Sequence, residues 1–170
     1  MVRVAGPIVQ ELQMVFLADW QFNVGEVPGS DDILPEPVTA GAMLIQALPS
    51  GPNYPTENYQ RLVVAAIHGA QERVTIATPY FIPDEAVLQA FQTAVLRGVR
   101  VELITSRECD HWLVGAASRA YFEDLFRTGV RIHLYEKGIL HSKIVSIDDK
   151  IVLIGSSNFD IRSFRLNFEI

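Results

Sequence analysis

Two residues in the stretch "LHSKIVSIDDKIVLIGSSNFDIRSF", residues 140–164, have types and a spacing suited to phosphate chemistry. His141 and Lys143 are separated by one residue inside a run of Ile and Val that reads as a strand over 141–147. Alternate strand residues share a face, so His141, Lys143, Val145 and Ile147 are expected on one side, with Ser142, Ile144 and Ser146 on the other. At strand rise, residues two apart are roughly 7 Å from each other, so an imidazole and an ammonium can both touch one phosphate. The ammonium supplies charge to the non-bridging oxygens. The imidazole supplies a nucleophilic nitrogen or a transferable proton near neutral pH. A lysine set among Ile and Val, beside a histidine, is also costly to desolvate unless an anion joins it.

The following segment completes an anion site. A second strand, 150–154, runs into Gly155-Ser156-Ser157-Asn158 and then into a short helix expected from Phe159. Gly155 lets the backbone come close, Ser156 and Asn158 offer hydrogen bonds to phosphate oxygens, and a helix N-terminus favours negative charge. Arg162 and Arg165 could add charge. Glu169 lies 28 residues past His141 (169 − 141) and could orient the imidazole through its other nitrogen. Each piece alone has an ordinary reading. Asp148 is a hairpin-turn residue, Gly-Ser-Ser-Asn is a turn, and a lone strand histidine is usually structural. His68, His111 and His133 each lack a lysine two places later and are given no chemical role. The combination of pair and loop is what singles the stretch out.

The elements that must position these groups are legible as an alternation. Apolar residues at helical spacing over 8–20 follow Gly6-Pro7, and a Pro-, Gly- and Asp-rich linker or exposed loop covers 23–41. Then come a strand over 42–48, a helix over 56–70 with Thr56 as N-cap, and a strand over 73–78 ending at Pro79. A helix over 84–98 is capped by Asp84 and closed by Gly98. A strand over 99–105, a helix over 111–129 and a strand over 130–135 precede the final hairpin, whose strands 141–147 and 150–154 are joined by Asp148-Asp149. The pattern predicts an α/β fold with a mixed, largely parallel sheet flanked by helices on both faces. Ligand sites in such sheets gather at the carboxyl ends of strands. Two strand-end loops, "TPYFIPD" (78–84) and "TSRECDH" (105–111), lie there. Tyr80 and Phe81 either line a substrate entrance or pack under the following helix, and both readings stand at this point.

The chain has 170 residues, 49% of them apolar and 20% charged, which suits one α/β domain with a sizeable core. A formal net charge of −6 argues against non-specific nucleic-acid binding, which needs a surplus of Lys and Arg. The single cysteine, Cys109, excludes an internal disulfide, and no His/Cys spacing reads as a metal site, so no metal is expected. No signal peptide is visible, and no apolar run reaches the ~18–20 residues of a spanning helix. Both ends read as cut, which suggests a piece of a longer protein.

His141-x-Lys143-x-x-x-x-Asp148 followed by Gly155-Ser156-x-Asn158 resembles the signature of the phospholipase D superfamily. Within it the chain resembles bacterial cardiolipin synthases, through "GPIVQELQMVFLADW", "LPSGP", "ATPYFIPDEA", "DHWLVGAASRAYFEDLFRTGVRIHLYEKGILHSKI" and "GSSNFDIRSFRLNFEI". The resemblance implies two similar halves, each with one such motif, meeting at a shared site. A histidine of the first half attacks phosphorus to give a phosphohistidine. His141, of the second motif, is then general acid and base, while Lys143, Asn158 and Ser156 bind phosphate. Glu169 holds the histidine, and Asp148 is the structural aspartate of the motif. The implied reaction joins two phosphatidylglycerol molecules and releases glycerol without metal or nucleotide. The implied organisation makes residues 1–22 the remnant of a missing first half and 42–170 the second catalytic half. A bacterial cytoplasmic membrane is then the expected location of the whole protein, the piece itself being soluble and, by itself, inactive. Asp110 and His111 also match the family pattern, without a stated role. Two alternatives remain: a single-motif nuclease that builds its site by homodimerisation, and a non-catalytic phospholipid-binding fragment.

Overall fold

The computed structural model describes residues 2–26, 29, 33–34, 36–109 and 112–170. They divide into two compact units, 1–49 and 50–170.

The first unit holds one long helix, α1 (Ile8–Val24). Pro7 precedes it, where its fixed φ costs nothing, and Gly25 ends it at φ +82° with its N–H on the Gln21 carbonyl at 2.8 Å. Residues 42–48, expected as a strand, form none. Met43 is 85% and Leu44 100% exposed, and the Ala47 N–H bonds to the Glu11 carboxylate at 2.9 Å. An apolar run becomes a strand only where an edge receives its backbone donors, and here one of them is spent on a side chain.

The second unit runs α2 (Asn58–Gly69), β1 (Arg73–Ala77), β2 (Phe81–Ile82), α3 (Glu85–Leu96), β3 (Arg100–Ser106), α4 (Trp112–Ala120), α5 (Phe122–Thr128), β4 (Arg131–Tyr135), β5 (Ile144–Ile147), β6 (Ile151–Ile154), β7 (Phe159–Asp160) and α6 (Ile161–Arg165). Five strands form one sheet in the order β4-β3-β1-β5-β6. β1, β3 and β4 are parallel; β5 runs against β1, and β6 against β5. Four of the five therefore point one way, the mixed and largely parallel sheet that the alternation predicts.

One face of this sheet is the core. Val74, Ile76, Val101, Leu103, Val145 and Ile147 meet Val63 and Ile67 of α2, Val87, Phe91 and Ala94 of α3, and Leu125 of α5. On the opposite face Thr75, Ala77, Glu102, Ile104, Ile144 and Ser146 are half-buried. Phe81 stacks on Phe91 at 5.9 Å and on Phe159 at 6.1 Å. Phe164 and Tyr59 extend the row. Burying one such ring contributes roughly 1.5–3 kcal/mol, so this row fixes β2, β7 and α6 against the main sheet.

Asp84 caps α3 as expected, its Oδ1 accepting from the Val87 N–H at 3.1 Å, and Gly98 closes the turn beyond at φ +86°. Thr56 does not cap α2. The helix starts at Asn58, Glu57 holds the cap position without a side-chain bond, and the Thr56 hydroxyl donates to Asn58 Oδ1 at 2.7 Å. The single helix expected over 111–129 is two, broken at Tyr121. α4 packs on β2 and α5 on α3 and β4, so one straight rod could not serve both.

The turn between β5 and β6 carries a device of its own. Asp148 and Asp149 sit at φ +53° and +54°, the left-handed pair that a type I′ turn requires. The Asp148 carboxylate accepts the N–H groups of Gln71, Glu72 and Arg73 at 2.8–2.9 Å and so pins the turn to the start of β1. These backbone bonds, Arg73's first, then those of Gln71 and Glu72, hold its carboxyl below the usual carboxylate range. A carboxyl depressed in the folded chain stabilises above its unfolded pKa, and that stability is lost as pH falls through the native value. Asp148→Asn keeps the tolerance for positive φ but loses the charge. Its melting temperature is expected to fall at neutral pH and to decline less steeply toward acid than the parent's; parallel acid limbs would refute the anchoring role.

Candidate active site

Topology brings the singled-out segments to one edge of the sheet. Because β5 is antiparallel to β1, Ile144 at its start lies opposite Ala77 at the end of β1, and Ile154 at the end of β6 lies opposite Ile144. The chain before β5, the loop after β1 and the loop after β6 all emerge there. Two short ties join the last two loops: β2 pairs with β7, and Thr78 Oγ1 donates to the Tyr80 carbonyl at 2.8 Å while accepting the Phe159 N–H at 3.4 Å.

His141 and Lys143 stand just ahead of β5 instead of within it, since the ladder begins at Ile144. They are nevertheless held. The Leu140 N–H bonds to the Ser106 hydroxyl at 2.6 Å, fixing the residue before His141 to the end of β3, and the Gly155 N–H bonds to the Lys143 carbonyl at 3.3 Å. Lys143 Nζ lies 3.2 Å from His141 Nδ1, 3.3 Å from Nε2 and 3.1 Å from the His141 carbonyl. The imidazole is exposed and the lysine half-buried. Burial pushes the Lys143 ammonium below the ordinary lysine value, and the carboxylates of Glu169 and Asp160 pull it back up. These two carboxylates offset part of the cost of desolvating the lysine.

The loop after β6 is tied to the segment around Glu169. The Ser156 N–H bonds to the Ile170 carbonyl at 2.8 Å, and a Cβ on Gly155 would overlap that carbonyl, so the glycine permits a backbone-to-backbone approach. Ser156 Oγ donates to Glu169 Oε2 and accepts the Ile170 N–H at 3.1 Å. Its proton is thus committed to a carboxylate, whereas the sequence suggested a phosphate donor. The other Glu169 oxygen accepts from Asn167 Nδ2 at 3.1 Å, and the Glu169 backbone bonds both ways to Ser50. Glu169 therefore faces Lys143 electrostatically and bonds to Ser156 and Asn167; no Glu169–His141 bond occurs among the described residues. Asn158 lies between buried Ser157 and Phe159, and its buried Oδ1 has no hydrogen-bond partner.

The remaining expected residues fall elsewhere. Phe81 is fully buried in the aromatic row and packs on Phe91 of the following helix; Tyr80 beside it is half-buried. Asp148 lies at the far end of β5 from Lys143, about 17 Å away at strand rise, in the anchored turn. The helix after Asn158 begins at Ile161, not Phe159, and its first turn is capped by Asp160, whose Oδ1 accepts the Ser163 N–H at 2.7 Å. A carboxylate thus fills the place suggested for a bound anion. Arg162 and Arg165 are exposed on α6. Asp110 and His111 lie outside the described residues. Ser106, Thr78 and Asn167 escaped the sequence reading; a small polar residue at a strand end was the only signal for the first two.

A half-buried ammonium against an imidazole, with an asparagine loop on the same edge, can grip a phosphate and move a proton beside it. Residues 63–170 match the family described as cardiolipin synthase, PLD-like domain. The chain belongs to that family. Consistent with membership, it is 48% identical over 169 residues to the cardiolipin synthase A of Pseudomonas syringae pv. syringae, covering 99% of this chain and 35% of that protein. It thus spans about a third of the length of the curated relatives it matches. NucT from Helicobacter pylori superposes with a TM-score of 0.56 at 28% identity, over 65% of this chain and 72% of that one. Nuc from Salmonella typhimurium, a phospholipase D family member, shares the fold with a TM-score of 0.57 at 24% identity, over 72% of this chain and 80% of that one.

Proposed function

We propose that this chain supplies the acid–base half of a phosphatidyl-transfer site that joins two phosphatidylglycerol molecules into cardiolipin and glycerol. A histidine of a companion catalytic half attacks phosphorus, and the bond from phosphorus to the glycerol oxygen breaks. The His141 imidazolium gives its proton to that oxygen, so glycerol leaves as a neutral alcohol. Neutral His141 then takes the proton from a hydroxyl of the second phosphatidylglycerol, whose oxygen attacks phosphorus. The phosphorus–nitrogen bond breaks and the first histidine is regenerated. Lys143 and the Asn158 amide hold the non-bridging oxygens throughout. Glu169 and Ser156, bonded to each other, hold the loop that Gly155 ties to Lys143, and Asp148 acts from a distance by fixing the β5–β6 turn. Tyr80 borders the edge where a headgroup enters. The scheme calls on no metal and no cofactor.

The observation that carries this reading is Lys143 Nζ lying 3.2 Å from His141 Nδ1 on the edge that also bears the Asn158 loop. The substrates would place the whole enzyme at a bacterial cytoplasmic membrane. Among the described residues no helix is long and apolar enough to cross one. Glycerol release from phosphatidylglycerol vesicles tests the half-site. An enzyme containing this segment with its companion half is expected to release glycerol, and the purified chain alone is not. Release by the chain alone at a comparable rate would overturn the division of roles.

A further inference from the structure

Resting on the phosphate-site reading above, we propose that Asn167 is a positioning residue for that site. Its amide holds one oxygen of Glu169 while Ser156 holds the other, and together they fix the carboxylate on the loop whose Gly155 N–H bonds to the Lys143 carbonyl.

Three observations converge. Asn167 follows α6, and its backbone N–H already satisfies the Arg162 carbonyl at 3.1 Å, so its side chain is not needed to end the helix. That side chain is half-buried and turned onto Glu169 Oε1 at 3.1 Å. Glu169 is further immobilised through its backbone pairing with Ser50. A carboxylate gripped at both oxygens has one orientation, and its charge falls where the fold aims it. The groups around Lys143 come from every side. His141 lies on its own segment, Asp160 stands at the head of α6, and Glu169 is on the last segment. Tyr59 of α2 also looks at Glu169; burial first, and that carboxylate second, push its hydroxyl well above the usual range. Among the described residues, the carboxylates of Glu169 and Asp160 favour the charged lysine against its desolvation, so loosening Glu169 shifts the balance.

The test reads Lys143 directly. The chain has three lysines, Lys137, Lys143 and Lys150, so replacing Lys137 and Lys150 by arginine leaves one side chain whose ¹³Cε shift can be titrated by NMR. Asn167→Ala is expected to move the Lys143 midpoint to lower pH. Glu169→Gln should move it at least as far, and Asn167→Ala should add nothing in the Glu169→Gln background. Asn167→Ser, too short to reach Glu169 yet gentle on the fold, should repeat the alanine result. A midpoint unchanged in both Asn167 variants, or an equal shift with and without Glu169, overturns the proposal. Inorganic phosphate serves as the second probe. The pH at which its binding is lost should fall in Asn167→Ala, in step with the Lys143 midpoint. If the parent chain shows the midpoint shifts yet binds no inorganic phosphate, the clamp stands and the phosphate reading fails.

Discussion

Lys143→Ala, placed in an enzyme that contains this segment and its companion half, is expected to lower kcat for phosphatidylglycerol by about 10²–10³-fold. The reason is local. Lys143 is the half-buried cation at the sheet edge, and its Nζ lies within 3.3 Å of both imidazole nitrogens. In the proposed reaction negative charge develops on the non-bridging oxygens as phosphorus is attacked, and without Lys143 no ammonium beside His141 offsets it. The fold should survive. Burial already disfavours the charged lysine, so the uncharged Lys143→Met is expected to melt at or above the parent temperature. Lys143→Arg keeps the charge but brings a planar fork where a compact ammonium lies against a ring, and should recover little activity. Steady-state kinetics with a melting curve decides the matter: near-parental turnover in the alanine variant removes the phosphate role, and lost turnover with a lost fold leaves the role unsupported.

His141→Ala is expected to cost about 10²–10⁴-fold in kcat with phosphatidylglycerol, the range of a positioned general acid–base group. The loss should depend on the leaving group. Glycerol is a poor one and needs the proton; a nitrophenolate leaves without it. In single-turnover experiments with a nitrophenyl phosphodiester, the variant should therefore release one equivalent of nitrophenol at a near-parental rate and then stall, because the second step still lacks its base. A variant that gives no burst would make His141 the nucleophile and reverse the assignment.

The alternation of strands and helices from 73 to 154 was legible because each element has its own local signal. Asp84 caps α3, Gly98 and Gly129 stop helices at positive φ, and Asp148-Asp149 spells its turn. The His-x-Lys pair was legible for a similar reason, two residues apart being a local spacing. Features that depend on distant chain were not. The apolar residues 42–48 read as a strand, but no sequence says whether an edge is vacant to receive them. The break at Tyr121 follows from α4 and α5 packing on different neighbours. The burial of Phe81 follows from a row of rings drawn from five elements. Ser156 was read as a phosphate donor because its partner, Glu169, is brought to it only in the folded chain, by the Ser156–Ile170 bonds and by the pairing of Glu169 with Ser50, 119 residues away (169 − 50). Asn167 went unnoticed since an asparagine after a helix is ordinary until its amide is seen on a carboxylate.

The proposed division of roles comes down to which histidine carries the phosphoryl group. An enzyme containing this segment, mixed with phosphatidylglycerol labelled at phosphorus and quenched within one turnover, can be digested and its phosphohistidine mapped. The label is expected on a histidine outside residues 1–170, with none on His141; label on His141 would contradict the acid–base assignment.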